Sequence, residues 1–362
     1  MKLNNRMYSR NEIEKKVGNI YQLGGARCYE LSEGSAKGTR AVDMNTGSGF
    51  NFTVLPDRGL DISLASYKGI NLVYQTQNGE VNPSFYHPCG LEWLGTFFAG
   101  LLTTCGLTYF GHPGVDEGEE LGLHGRHSAT PAKKVCDSSR WDGDDYLLEI
   151  SGVIDSSVPF GHKVRMTRTI SSRIGEKSVR IHDEVQNYGS APAPFTILYH
   201  VNAGFPLLDE GSEFLTSSDN IEPYDAHAAE HIHDCKKIIA PVANFKEQCY
   251  LHKMLGDNEG NAFAAILNRN LANGIGLYVK FGIDSLPYLT EWKMMGETDY
   301  VVGMEPCNTK CLNRGELRRQ KMLPFLQPCE TKHLDVEIGV LEGEEEIEWV
   351  CDIKVGKLNQ SK

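Results

Sequence analysis

Three consecutive stretches limit most strongly how this chain can fold. Residues 146–154, 163–171 and 179–185 are short alternating runs; the second sets Val164, Met166, Arg168 and Ile170 on one side, and the third Val179, Ile181, Asp183 and Val185. A period of two residues is that of a half-buried strand, and a polar, glycine-containing connection of a few residues is a hairpin turn. Gly175-Glu176-Lys177 is one such turn, and Asn187-Tyr188-Gly189-Ser190 is another, leading toward a run at 195–208. Leu60, Ile62 and Leu64 alternate with Asp61, Ser63 and Ala65, and Tyr67-Lys68-Gly69 turns that strand into 71–75. The same texture returns at 262–267, 276–281, 300–305 and 332–340. Helical periodicity is confined to 9–16, where Ser9 and Glu12 have capping-box spacing, and to 313–321. Residues 219–234 are polar and turn-rich, and read as a long loop over one end of the sheet.

The pattern predicts an all-β chain built as a large antiparallel sandwich with few short helices. With no internal repeat and no composition break, residues 1–362 read as a single domain. Residues 1–40 form a leading segment with a short helix set apart from the main core, and 41–355 form the sandwich.

Composition narrows the function. The net charge is 36 − 48 = −12, which disfavours a phosphate-backbone partner. The N-terminal residues lack the apolar stretch of a secretory signal. The most apolar window, 91–107, contains Glu92 and three glycines, and reads as core rather than as a membrane span. Ten scattered cysteines without a CxxC pair fit reduced thiols and a cytoplasmic location. Cys307 and Cys311, four apart, read as small buried hydrophobes. His227, Glu230, His231 and His233 can mimic a metal site, but lie in a polar stretch without HExxH spacing. No metal, cofactor, nucleic-acid or membrane partner is expected; the oligomeric state stays open.

Four features could carry chemistry. His200 lies inside FTILYHVNAGFPLL, on one strand face with Thr196, Leu198 and Asn202. It is either a hydrogen-bonded core histidine or a proton donor on a rigid element. Glu305 closes the apolar run YVVGMEP and shares a face with Val301 and Gly303; it is a solvated edge carboxylate or a base on a rigid rim. His124 sits between glycines in LGLHGR, where backbone can approach a ligand closely. Arg58, in LPDRGLD, can hold adjacent hydroxyls or pair Asp57 or Asp61.

In order and spacing, Arg58, Leu-His-Gly at His124, His200 and Glu-Pro at Glu305 resemble the aldose 1-epimerase (galactose mutarotase) superfamily over residues 50–350. The resemblance implies a β-supersandwich and mutarotation of a sugar without a cofactor. It implies that Glu305 takes the proton of the anomeric hydroxyl and that His200 protonates the ring oxygen. It also implies that His124 and Arg58 hold sugar hydroxyls, with Arg126 as a further contact. The chain departs from the family where His200 is followed by Val-Asn-Ala-Gly-Phe and where Cys307 follows Glu-Pro. FKEQCYLH stands in place of a Tyr-Asp-His context, so Glu247 or Gln248 has to replace the family's substrate-binding aspartate. Trp292, Phe110 or Tyr300 could stack on the apolar face of the sugar. The chemistry needs Glu305 ionised and His200 protonated, with the histidine shifted modestly upward. The alternatives are a carbohydrate-binding protein without catalysis and a metal-dependent sugar isomerase.

Overall fold

The computed structural model describes residues 1–3 and 6–351. Alternation along the chain is realised as three main antiparallel sheets. The largest runs, in spatial order, Lys133–Asp137, Asp145–Ser157, Lys163–Arg173, Ser178–Asn187, Thr331–Glu342, Ile275–Gly282, Asn261–Asn268 and Glu213–Thr216, with Arg140–Asp142 also paired to its second strand. The second has the order Ser218–Pro223, Gln248–Met254, Tyr288–Met295, Tyr300–Cys307, Thr196–Gly204 and Thr103–Leu107. The third is built from Gly25–Glu30, Arg40–Asn45, Phe50–Leu55, Asp61–Tyr67 and Ile70–Asn71. This is the expected all-β sandwich. Among the described residues the α-helices are Arg10–Glu14, Ala226–Glu230, Arg314–Arg319 and Glu344–Trp349, and no helix is long and apolar enough to cross a membrane.

The inward residues of all three sheets meet in one core, with Val164, Met166 and Ile170 from the first, Val201, Val302 and Met304 from the second, and Val54 and Ile62 from the third. A fully buried large aliphatic side chain contributes roughly 1.5–3 kcal/mol, so this cluster is what holds the sheets together. A second, smaller apolar cluster covers the far face of the six-stranded sheet and includes Trp93, Phe97, Leu198, Val301 and Cys307. That sheet is therefore buried on both faces.

Arg168 and Asp183, the charged members of apolar stripes, are explained by each other. Arg168 is fully buried and bonds Asp183 at 2.7–2.8 Å and Asp61 at 2.9 Å, while the Tyr199 hydroxyl donates to Asp183 at 2.7 Å. Burial pushes the Asp61 carboxyl up to about 6. Tyr199 precedes His200, so this network anchors the histidine strand from behind.

Several sequence expectations are corrected. The Ser9 capping box is present, but the leading helix is not set apart: Ile13 and Met1 lie in the main core. The boundary at residue 40 cuts a hairpin, since Gly25–Glu30 pairs with Arg40–Asn45. The strand at 71–75 shrinks to Ile70–Asn71 followed by isolated bridges at Val73 and Gln75. Residues 219–234 hold an edge strand, a helix capped by Asp225 and a short 3-10 turn instead of a loop. The meander also does not run on into the His200 strand. Ser178–Asn187 takes Thr331–Glu342 as its next neighbour, and the chain crosses to the other sheet through Ala193–Pro194, which pairs with Phe325–Leu326 in a separate two-stranded sheet. The expected end at residue 355 lies outside the described residues.

Candidate active site

His200 and Glu305 stand opposite each other on neighbouring antiparallel strands, in a register fixed by the Leu198–Cys307 and Val201–Met304 pairs. Both side chains leave the sheet on the face away from the main core. His200 Nε2 lies 3.1 Å from Glu305 Oε1, and the residues are 4% and 2% exposed, so only a sliver of each reaches solvent. The approach is off the hydrogen-bond axis. Glu305 Oε1, His200 Nδ1 and Asn202 Oδ1 are buried without an aligned partner among the described residues. Buried polar groups are paired in the great majority of cases, so these three atoms hold unmet hydrogen-bonding capacity.

Gly303 makes room for the carboxyl. A Cβ at that position would run into Glu305 Oε1 and into Cβ of Trp292, its cross-strand partner. A glycine weakens a strand interior, and here it leaves the space that the glutamate occupies.

Burial acts on both members of the pair in the same sense. It pushes His200 down to about 3, opposed only by the polar Asn202 side chain. It holds Glu305 well above the ordinary carboxylate range, helped by the negative charge of Glu247. The expected upward shift at His200 is thus reversed: desolvation disfavours the charged form of each group, lowering the histidine and raising the carboxyl.

Rings wall the pair. Ring centroids of Phe97 and Trp292 lie 5.2 and 5.3 Å from His200, and Trp93 stacks on Phe97 at 4.4 Å. The His124 ring stands edge-on to His200 at 6.1 Å and tilts against Trp93 at 4.8 Å. His124 has a left-handed φ of 56°, and Gly125 follows at 74°, where a side chain would strike the carbonyls of Gly106 and Tyr109. Burial and the neighbouring His200 and His112 keep His124 well below the usual histidine range. Trp93 and Phe97 fall in the 91–107 window that reads as plain core; the apolar run is legible, but not which of its rings face a ligand.

The remaining sequence candidates separate. Trp292 is in the wall, and its indole Nε1 donates to Glu247 Oε2 at 2.9 Å, so Glu247 stands at the exposed rim. Gln248 points through the sheet to the other face, where it accepts from the Tyr250 hydroxyl at 3.1 Å, because neighbouring strand residues alternate sides. Of the two candidates to replace the aspartate, only Glu247 adjoins the pair. Arg58 is fully buried, with Nε on the Ser128 carbonyl, Nη1 on Val81 at 2.7 Å and Nη2 on Thr96 at 2.9 Å. Its guanidinium is taken up by these three carbonyls and hydrogen-bonds neither Asp57 nor Asp61, and it ties down the segments carrying Trp93, Phe97 and His124. Arg126 is half-buried beside Tyr86, and its guanidinium makes no hydrogen bond or ion pair among the described residues. Phe110 packs inside the floor cluster. Tyr300 faces the main core and donates to the Ile239 carbonyl at 2.7 Å.

A cavity of about 240 Å³ is lined by Tyr224, Cys249, Leu251, Cys311 and Thr290, the cross-strand partner of Glu305; neither His200 nor Glu305 is in its lining. A hollow of about 900 Å³ lies on the third sheet around Arg27, Asn45 and Asn51, without His200 or Glu305 in its lining.

A family model described as Domain of unknown function (DUF4432) matches residues 36–340. A candidate aldose 1-epimerase from Klebsiella pneumoniae is 26% identical, with a TM-score of 0.88 over 95% of this chain and 93% of that one. A galactose mutarotase-like protein from Clostridium acetobutylicum is 14% identical, with a TM-score of 0.61 over 89% of this chain and 99% of that one. A galactose 1-epimerase from Lactobacillus acidophilus is 12% identical, with a TM-score of 0.56 over 89% of this chain and 100% of that one. No curated protein matches the chain.

Proposed function

Given that this chain belongs to the DUF4432 family and has a galactose mutarotase-like fold, we propose that it interconverts the anomers of a sugar or sugar derivative by acid–base ring opening. The observation that carries this reading is the 3.1 Å approach of His200 to Glu305 inside an aromatic wall. Opening a cyclic hemiacetal removes a proton from the C1 hydroxyl and delivers one to the ring oxygen. Rotation about C1 and reclosure then place the hydroxyl on the other face. Two positioned proton carriers suffice, each worth roughly 10²–10⁴-fold.

Burial disfavours the charged forms of both His200 and Glu305. A sugar entering the pocket brings hydroxyl donors to the carboxyl and restores polarity to a dry site. The carboxyl then passes its proton across the short gap to Nε2. Glu305 becomes the base for the anomeric hydroxyl, and His200 the acid for the ring oxygen. His124 and Glu247 are placed to hold other hydroxyls, and Trp292 to stack on the apolar face of the ring.

Exchange NMR of anomer interconversion, run over aldoses, uronates and phosphosugars, tests this. Native protein should raise the exchange rate of at least one sugar above buffer, and Glu305→Gln and His200→Asn should each remove that gain while keeping the native melting curve. Full activity in either variant would sink the assignment. A second reading, sugar binding without turnover, is favoured by the same burial that neutralises both groups. Saturable binding with exchange no faster than buffer would select it.

A further inference from the structure

We propose that His182, Glu184 and His333 form a binding site for a divalent cation of the zinc type on the outer face of the largest sheet, with Asp335 as the outer partner of His182. The strands Ser178–Asn187 and Thr331–Glu342 pair His182 with Asp335 and Glu184 with His333, which puts all four side chains on one face. The two imidazoles stack across the diagonal, with centroids 5.7 Å apart and planes 25° from parallel.

His182 Nδ1 lies 2.7 Å from Asp335 Oδ1. A proton on Nδ1 directed at that carboxylate leaves Nε2 with its lone pair free. This is the carboxylate–histidine arrangement that orients metal-ligating imidazoles. Nε2 lies 3.8 Å from Glu184 Oε1, and His333 Nδ1 lies 4.0 Å from the same oxygen. One donor atom from each of the three residues falls within 4.8 Å of the others. Zinc bonds of about 2.1 Å in tetrahedral geometry set donors roughly 3.4 Å apart, so small side-chain rotations on a rigid sheet close the site. With the ring lone pairs given to the metal, two imidazoles and two carboxylates contribute a charge of −2 that matches the ion. Mixed nitrogen and oxygen donors suit zinc better than calcium or magnesium, which take oxygen ligands. A fourth position stays open to water. The competing account is two cross-strand histidine–carboxylate pairs that bind nothing.

The inference is independent of the proposed mutarotation. It is tested on the full chain, first stripped with chelator, by calorimetric titration with zinc chloride and by the visible spectrum after Co²⁺ addition. One zinc per chain should bind, cobalt should give a tetrahedral band, and the melting temperature should rise with zinc. His182→Ala with His333→Ala should abolish all three effects. Asp335→Asn should weaken binding about 10–100-fold. The pair His227→Ala and His231→Ala, on a separate short helix, should change nothing. No saturable binding, binding intact without His182 and His333, or binding lost with His227 and His231 overturns the site, and unaltered affinity in Asp335→Asn removes its outer partner.

Discussion

His200 Nε2 and Glu305 Oε1 meet at 3.1 Å across the seam between two antiparallel strands, with almost no exposed surface on either. Burial this far from water disfavours the charged form of both groups. The fold makes that possible by burying the six-stranded sheet on both faces.

The first consequence is a dependence of stability on pH. His200 is held neutral with its pKa pushed down to about 3 by burial, and His127, fully buried, is also pushed down to about 3. A group whose folded pKa is depressed contributes stability that is complete above its unfolded value of 6.5 and is lost as the pH falls toward about 3, because the unfolded chain takes up the proton first. Glu305 runs the other way. Its raised pKa contributes stability below 4.5 that is lost as the pH rises. Urea melts between pH 3 and pH 8 should show His200→Asn with a shallower acid limb than native protein. Glu305→Gln should be at least as stable as native protein at pH 8. An unchanged acid limb in His200→Asn refutes a buried neutral histidine.

Arg58→Lys should be costly although it preserves the charge. The guanidinium spans carbonyls from three segments, and an ammonium on a flexible stem cannot reach all of them. Each buried carbonyl left unpaired costs about 1–3 kcal/mol, so a loss of at least about 2 kcal/mol is expected in denaturant melts. Trp93 sits between the Arg58 anchors, so tryptophan emission of the folded variant should shift as well. Native stability and emission would return Arg58 to the list of ligand contacts.

Gly303→Ala separates geometry from stability. The added methyl group displaces the Glu305 carboxyl and presses on Trp292, while the alanine improves strand propensity slightly. Anomer exchange should fall by at least tenfold with a melting temperature within a few degrees of native. Native exchange rates would mean that the position of the carboxyl is not critical.

Glu247→Gln removes a negative charge that raises Glu305 and weakens the acceptor holding the Trp292 indole. The limb of the pH–kcat/KM profile that belongs to Glu305 should move to lower pH, and KM should rise through the loosened ring. A profile that stays in place with a raised KM would assign Glu247 to binding alone.

Local pattern determined a good deal by itself. The alternation at 146–154, 163–171 and 179–185, the Ser9 capping box, the helix near 313–321 and the short apolar run ending in Glu-Pro are all properties of neighbouring residues, and each is found in the structure. The alternation at 195–208 also put His200 on the correct strand face, away from Tyr199 and Val201. Strand partners were decided by tertiary structure, because pairing across a hundred residues leaves no local trace. It alone sent the His200 strand to the Glu305 strand instead of continuing the meander. The same limit explains Arg58, whose type suited a ligand contact until three distant carbonyls enclosed it, and Gln248, whose side follows from pairing with Lys293. It explains the proton as well. Composition assigns a histidine and a glutamate their ordinary pKa values, and only burial in the folded sheet supplies the desolvation that lowers the one and raises the other.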